Sequence, residues 1–295
     1  MASKTTYQQS APPTPERVPA QHQDSQPGEQ RAMNPLPIAD NPLYAGSGKL
    51  KGRAAIITGG DSGIGQAVAL AFAKEGADVA IVHLRNGQDA AETAEQVRGH
   101  GRTCLTYEFD LRDERAATDA VEHASRTLGR LDVLVNNAAE QHPQNSLEDI
   151  TAEQLLSTFA TDVFGYFYVA KAALRYMKPG GAIINTASVT AYAGSATLID
   201  YSAAKGAVVS FTRSLALSLA QRGIRVNAVA PGPVWTPLIP STFSPEQVAQ
   251  FGADVPLGRP AQPFELAPTY VYLACDDSAY VTGQVLHVNG GKMMA

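Results

Sequence analysis

From Lys51 onward the chain repeats one pattern: a short apolar run, a turn that contains glycine, and a longer amphipathic segment. This alternation predicts βα units, which in series form a parallel sheet. The predicted strands cover residues 54–58, 79–83, 103–107, 133–136, 182–186, 226–230 and 285–288. The predicted helices cover residues 63–75, 88–99, 112–128, 152–177, 201–222 and 263–275. Several strands are almost continuously apolar, which indicates helices on both faces of the sheet.

These units leave no block of sequence for a second domain. The sequence therefore predicts one α/β domain over residues 49–295, a doubly wound parallel sheet of the Rossmann type with strand order 3-2-1-4-5-6-7. Residues 1–48 contain 8 of the 19 prolines and few large apolar side chains, so we expect an amino-terminal arm. Its first ~30 residues are predicted to be disordered, and the remainder is predicted to lie extended over the domain.

Charge and cysteine content restrict the possible partners. A formal net charge of -5 without a long Lys/Arg run argues against nucleic acid or an anionic membrane, so we expect a small-molecule substrate. No apolar run reaches the ~18 residues of a membrane span, and the amino terminus lacks a signal-peptide core. Cys104 and Cys275 are the two cysteines, too few for a disulfide framework or a Cys-based metal site. We expect a cytoplasmic protein without a bound metal.

The turn after the first predicted strand indicates a nucleotide site. It reads Thr58-Gly-Gly-Asp-Ser-Gly-Ile-Gly65 and leads directly into a helix. Glycines let the backbone approach a pyrophosphate, and the helix amino terminus supplies unpaired N–H groups. The predicted cofactor contacts in this turn are Gly59, Asp61, Ser62, Gly63, Ile64 and Gly65. The spacing is Gly-xxx-Gly-x-Gly and not the literal GxGxxG, so a glycine turn used only for tight packing stays the alternative.

The end of the second strand bears on which dinucleotide binds. An acidic residue that hydrogen-bonds the ribose 2'-hydroxyl of NAD is expected there. The chain has His83-Leu84-Arg85 instead, and an arginine favours the 2'-phosphate of NADP. We therefore predict NADP(H), with NAD as the alternative, and we place Asp110 and Leu111, which follow the third strand, near the adenine.

Tyr201 and Lys205 form a second chemical signal. They lie four residues apart in a predicted helix, so their side chains share one face. A nearby cation favours the ionised phenol and lowers a tyrosine pKa from its usual value of about 10. The pair is therefore a candidate acid/base, and a surface Tyr beside a surface Lys is the alternative.

Five motifs occur in register at the ends of predicted strands. They are residues 58–65, Asn136-Asn-Ala-Ala139, Ser188, Tyr201-xxx-Lys205 and Pro231-Gly-Pro-Val-Trp-Thr236. Together they resemble the short-chain dehydrogenase/reductase family over residues 50–291, and open α/β sheets build their sites at this edge. Residues 44–50 and the loop 60–62 further resemble the subgroup named for glucose/ribitol dehydrogenases and stress-associated aldehyde reductases.

The resemblance implies a role for each matching residue. Tyr201 would be the general acid in carbonyl reduction and the base in alcohol oxidation, and Lys205 would hold the nicotinamide ribose and lower the pKa of Tyr201. Ser188 would hydrogen-bond the substrate oxygen, and Asn136 would brace its strand. The remaining cofactor contacts implied are Asn137, Ala138, Pro231, Gly232, Val234 and Thr236.

One position departs from the family pattern. The helix after the fourth strand usually carries an Asn that holds a water in a proton relay, whereas this chain has Asp162. Three interpretations remain open: the carboxylate accepts from the water in place of the Asn, it pairs with Lys205 and weakens the effect of that cation on Tyr201, or the relay is impaired. An ionised Asp162 should raise the pKa of Tyr201, so we expect a working enzyme with an altered pH optimum.

The sequence thus predicts an oxidoreductase that transfers hydride between NADP(H) and a small aldehyde, ketone, polyol or sugar. The alternative is a catalytically impaired nucleotide-binding or sensing protein on the same fold. Aromatic residues in helix 152–177 predict a homodimer or homotetramer through that helix and helix 201–222. The Pro-rich connection 236–262 is the predicted substrate lid.

Overall fold

The strands form one parallel sheet. The computed structural model describes residues 14, 15 and 17–294, and its sheet has the order 3-2-1-4-5-6-7. The strands are β1 Ala54–Thr58, β2 Asp78–His83, β3 Cys104–Glu108, β4 Leu131–Asn136, β5 Met177–Thr186, β6 Arg225–Pro231 and β7 Val285–Val288. All neighbours pair in parallel, so the carboxyl ends of all strands lie at one edge. The predicted fold class and strand order are confirmed.

Helices cover both faces of this sheet. They are α1 Gly63–Lys74, α2 Gly87–Gly99, α3 Glu114–Thr127, α4 Ala152–Phe159, α5 Gly165–Ala173, α6 Thr190–Ala193, α7 Ile199–Leu219, α8 Pro245–Ala249 and α9 Ala267–Ala274. Alternate residues of β1 face two cores: Ala55 and Ile57 pack with α1, α2 and α9, whereas Ile56 packs with α3, α5 and α7. Both faces of the central strands are therefore buried. No helix among the described residues is long and apolar enough to cross a bilayer.

The predicted single helix 152–177 is wrong. A π-helical turn, Ala160–Phe164, separates α4 from α5, and α5 ends at Ala173. Met177, the first residue of β5, already pairs with Leu131 of β4. β5 therefore begins five residues before the predicted residue 182. A π-turn contains one extra residue, and residues 160–164 include no Gly or Pro that would indicate its position. The periodicity of the side chains therefore did not predict it.

The amino-terminal arm lies against the domain. Val18 and Met33 are buried in a small cluster with Trp235, whose indole Nε1 donates to the Pro35 carbonyl at 2.9 Å. Residues 17–30, which fall within the segment predicted to be disordered, contact the domain through the buried Val18 and through hydrogen bonds such as that from the Gln23 backbone N–H to the Pro240 carbonyl at 2.8 Å. That prediction for residues 1–13 and 16 lies outside the described residues.

Candidate active site

The glycine-rich turn is shaped by close backbone contacts. Gly59 and Gly63 have positive φ angles of 63° and 51°, a region that costs other residues strain. A Cβ on Gly65 would lie 1.9 Å from the Gly59 carbonyl oxygen. The Thr58 hydroxyl accepts from the backbone N–H groups of Asn137 and Ala138, at 2.8 and 3.1 Å. The turn between β1 and α1 is thereby tied to the end of β4.

A cleft of about 690 Å³ opens at the carboxyl edge of the sheet. The predicted site residues that line it are Gly59, Asp61, Ser62, Gly63, Ile64, Arg85, Asp110, Leu111, Asn137, Ala138, Ser188, Tyr201, Pro231, Gly232, Val234 and Thr236. Three other predicted residues, Gly65, Lys205 and Asp162, are absent from its walls; the last two are buried close to Tyr201. The volume lies within the range usual for cofactor and ligand sites.

Charged groups mark the end of the cleft near β2 and β3. Arg85 is exposed with a φ of 67°. The guanidinium of Arg112 binds the Asp110 carboxylate with contacts of 2.5 and 2.9 Å and lowers its pKa. Burial raises the pKa of Asp61 to about 6, and the carboxylate of Asp89 acts in the same direction. Arg85 therefore places an exposed positive charge on the wall of the cleft at this end.

Tyr201 and Ser188 lie at the opposite end. Tyr201 is buried in the first turns of α7, and the Lys205 ammonium lies 5.5 Å from its ring centroid. Burial raises the pKa of Tyr201 to about 12; Lys205 and Ser188 lower it, whereas Asp162 and Tyr166 raise it. Burial therefore outweighs the cation, and the phenol is protonated at neutral pH.

The Ser188 hydroxyl is oriented by the residue two positions on. Its oxygen accepts from the Thr190 backbone N–H at 3.1 Å and from the Thr190 hydroxyl at 3.0 Å. Because the Ser188 oxygen already accepts these two hydrogen bonds, the Ser188 hydroxyl proton can be donated to a substrate oxygen.

Asp162 and Lys205 form a buried ion pair. Their charged atoms, Oδ2 and Nζ, lie 3.5 Å apart, and both side chains are at most 1 % exposed. The ammonium also donates to the Thr186 carbonyl at 3.2 Å and to the Tyr166 hydroxyl at 3.3 Å. Burial raises the pKa of Asp162 to about 6, and the attraction of Lys205 opposes this.

The π-helical turn positions that carboxylate. Asp162 Oδ1 accepts from the Glu140 backbone N–H at 2.9 Å, whereas Oδ2 has no hydrogen-bond donor within normal geometry. Pairing with Lys205, one of the three interpretations of Asp162, is the arrangement present in this structure. The free lone pairs of Oδ2 leave the water-accepting interpretation open as well.

Several residues of the site were missed by sequence reasoning. Tyr166 follows Asp162 by four residues and binds Lys205, a spacing that would have indicated it. Asn136 was not missed, because it was predicted to brace its strand; its Nδ2 donates to Asn185 Oδ1 at 2.9 Å, so its side chain bridges β4 and β5. Gln26, Pro27 and Gly28 of the arm also line the cleft, and nothing in their composition indicated this.

No group of metal-ligating side chains occurs within residues 14–15 and 17–294.

A glycine-rich turn at one end of a cleft and a Ser, Tyr and Lys at the other define a class, the nicotinamide-dinucleotide oxidoreductases on a doubly wound sheet. The sequence model of a family described as Enoyl-(Acyl carrier protein) reductase matches residues 59–292. The chain belongs to the short-chain dehydrogenase/reductase family, and it is an NAD(P)-dependent oxidoreductase of CH–OH and C=O groups. The predicted family is confirmed.

Individual relatives agree with this assignment. The chain is 48 % identical to glucose and ribitol dehydrogenase of Daucus carota, over 94 % of this chain and 98 % of that protein. It is 47 % identical to NADPH-dependent aldehyde reductase 1, chloroplastic, of Arabidopsis thaliana, over 93 % and 98 %. A short chain dehydrogenase from Burkholderia cenocepacia J2315, solved in complex with NADP, superposes with a TM-score of 0.78 at 30 % identity, over 82 % and 98 %.

Proposed function

We propose that the chain reduces small aldehydes, ketones or sugars with NADPH, and oxidises the corresponding alcohols or polyols with NADP, through Tyr201 as general acid/base. The observation that carries the proposal is the protonated Tyr201 phenol, which lines the cleft between Ser188 and the ammonium of Lys205. The names of the plant relatives support this substrate class.

The cofactor is NADP(H). It fits because Gly59 and Gly63, both at positive φ, line the cleft where α1 begins, and because Arg85 at the other side of this end can meet the 2'-phosphate. A relative and a solved neighbour whose names include NADPH and NADP support the choice. Lys205, whose ammonium lies beside Tyr201 and just behind the cleft wall, would hold the hydroxyls of the nicotinamide ribose.

The chain's own residues supply the proton. NADPH, when bound, would supply a hydride, that is, two electrons and one proton, for the carbonyl carbon. Ser188 donates to the carbonyl oxygen and fixes its position. As the C=O π bond breaks, Tyr201 gives its phenolic proton to that oxygen, and the ammonium of Lys205 stabilises the tyrosinate left behind. In alcohol oxidation the deprotonated form of Tyr201 accepts the alcohol proton instead.

A substrate screen tests this function. We expect NADPH oxidation with members of a panel of short aldehydes, diketones and sugars, and a slower reaction with NADH. The preference for NADPH should shrink about 10- to 150-fold in Arg85→Ala, because a charge-assisted contact contributes about 1.5–3 kcal/mol. Arg115→Ala, a change at a 92 % exposed side chain, is the control. Tight NADPH binding without turnover on any substrate would favour the alternative, an impaired nucleotide-binding protein.

Asp162→Asn is expected to change the pH dependence of catalysis. Ionised Asp162 raises the pKa of Tyr201, so the amide should move the high-pH loss of reductase kcat/KM to lower pH by about one unit. Because Asp162 has a pKa of about 6, its ionisation should also produce an inflection near that pH in the kcat/KM profile of the wild type. The Asn variant should lack this inflection. The measurement is kcat/KM from pH 5 to about 11.5, which includes the high-pH loss expected for the variant, with the exposed Asp119→Asn as control. Superimposable profiles would show that Asp162 is not coupled to Tyr201.

The described surface supports self-association. Phe167 of α5 is 48 % exposed and stacks on Phe211 of α7 with ring centroids 4.0 Å apart. Phe164 at the end of the π-helical turn and Leu217 of α7 are exposed as well. We propose a homodimer or homotetramer that buries this apolar surface. A monomer by sedimentation at micromolar concentration would contradict it. The cytoplasmic location stays a prediction.

A further inference from the structure

The arm crosses the open side of the cleft between two parts of the domain. Near β2, the Asn86 side chain donates to the Gly28 carbonyl and the Gln30 backbone N–H donates to the Asp89 carboxylate, both at 2.8 Å. Near the lid, the Gln23 backbone N–H donates to the Pro240 carbonyl at 2.8 Å. The arm thus spans from the side that carries Arg85 to the side that carries the substrate lid.

The middle of the arm forms part of the cleft wall. Gln26, Pro27 and Gly28 line the same cavity as the glycine-rich turn and Tyr201. The Gln26 amide makes two hydrogen bonds to the backbone of Gln141, donating to its carbonyl at 2.7 Å and accepting from its N–H at 3.2 Å. The arm is therefore fixed to the loop after β4, in front of the cleft.

Gln30 binds the glycine-rich turn itself. Its Oε1 accepts from the Gly63 backbone N–H at 2.9 Å, and its Nε2 donates to the Gln66 side chain at 2.6 Å. The Gly63 N–H belongs to the first turn of α1, where backbone donors have no partner within the helix. The arm therefore contacts the segment that receives the pyrophosphate.

The arm is also anchored to the lid by apolar contacts. Val18, which precedes the crossing segment 22–30, and Met33, which follows it, are buried in one cluster. Its other members are Trp235, Ile239 and Val248. Between these anchors the segment is held by individual hydrogen bonds, one of them from the Gln30 backbone N–H to the Asp89 carboxylate, and each contributes only a small net free energy. The crossing segment can therefore lift while its ends stay in place.

We propose that residues 22–30 of the arm are a part of the cofactor site: they close the cleft over the pyrophosphate of NADP(H) and must lift for the cofactor to leave. The proposal rests on the proposed function, which places NADP(H) in this cleft. The arm determines the residence time of the cofactor, and Gln30 positions the turn that binds it.

Two variants of the full-length protein test the proposal. In Gly28→Ala the new Cβ would lie 2.5 Å from the Pro237 carbonyl oxygen and 3.1 Å from Ser241 Cβ, which forces the arm outward. Gln30→Ala removes the contact to Gly63. Gly99→Ala is the matched control, because no atom lies within 4 Å of its added Cβ.

The readout is the rate of NADPH release. Trp235 is the single tryptophan, so energy transfer from it to bound NADPH follows displacement by excess NADP in a stopped-flow experiment. We expect release at least tenfold faster in Gly28→Ala and Gln30→Ala, with Gly99→Ala and the wild type alike. We also expect NADPH to slow amide hydrogen exchange of residues 22–30 in the wild type.

The outcomes separate this proposal from the proposed function. NADPH that binds the wild type but leaves all four proteins at rates within twofold of each other would overturn the role of the arm and leave the oxidoreductase intact. Unchanged amide exchange on NADPH addition would overturn it as well. Absence of NADPH binding to the wild type would overturn the proposed function itself.

Discussion

Tyr201→Phe is expected to lower kcat for carbonyl reduction about 10³-fold and to leave the dissociation constant of NADPH within about threefold. The change removes one hydroxyl and keeps the ring, so the buried packing of α7 is retained. It deletes the acid that gives its proton to the substrate oxygen, and positioned proton transfer contributes about 10²–10⁴-fold to enzyme rates.

The matched control for this variant is Tyr107→Phe. Tyr107 lies in β3, and its hydroxyl forms a hydrogen bond with the ring of His123 in α3. Both residues are away from the end of the cleft that contains Tyr201. Steady-state kcat and fluorescence titration with NADPH give the two readouts. A Tyr201→Phe variant with kcat within tenfold of the wild type would remove Tyr201 from the mechanism.

Lys205→Met is expected to lower kcat by about 10²-fold or more and to destabilise the fold at pH 8 by about 3–5 kcal/mol. The kinetic loss follows because the tyrosinate formed in reduction loses its cation. The stability loss follows because Asp162, which is fully buried, keeps its charge without its partner.

The stability loss should depend on pH. The folded-state pKa of Asp162 lies above its unfolded value of 3.8, so the protonated form is favoured by folding and its stability contribution is lost as pH rises through the folded value. Without Lys205 that pKa rises further. Urea unfolding of Lys205→Met should therefore show a smaller deficit at pH 5 than at pH 8.

A double variant separates the two effects of Lys205. Lys205→Met with Asp162→Asn removes both charges and should recover most of the stability at pH 8, because no unpaired charge remains buried. Its kcat should stay low, because the tyrosinate still lacks a cation. A double variant as unstable as Lys205→Met alone would contradict the ion-pair explanation.

The sheet and the ends of the cleft were predictable from sequence for a physical reason. Doubly buried strands must be continuously apolar, as in Ala54–Thr58, and parallel strands place their carboxyl ends at one edge. Residues that follow different strands, such as Gly59, Ser188 and Thr236, therefore meet in one cleft. The local sequence was therefore sufficient to predict that these residues share one cleft.

Three features were not predictable in the same way. The π-helical turn at Ala160–Phe164 adds one residue to the helical path, and residues 160–164 contain no Gly or Pro that would indicate it. The pKa of Tyr201 is set mainly by burial, a property of the assembled fold, whereas sequence reasoning considered Lys205 and Asp162. The path of the arm depends on Gln26 and Gln30 binding distant backbone groups, which no local pattern encodes.

The chemical step itself gives the most direct test. Enzyme preloaded with NADPH is mixed with the best substrate of the screen, and a single turnover is followed by NADPH absorbance while the alcohol formed is quantified. The account predicts one alcohol per NADPH in the wild type, a step at least 10²-fold slower in Tyr201→Phe, and a retained step in Asp162→Asn. Equal single-turnover rates in the wild type and Tyr201→Phe would contradict it.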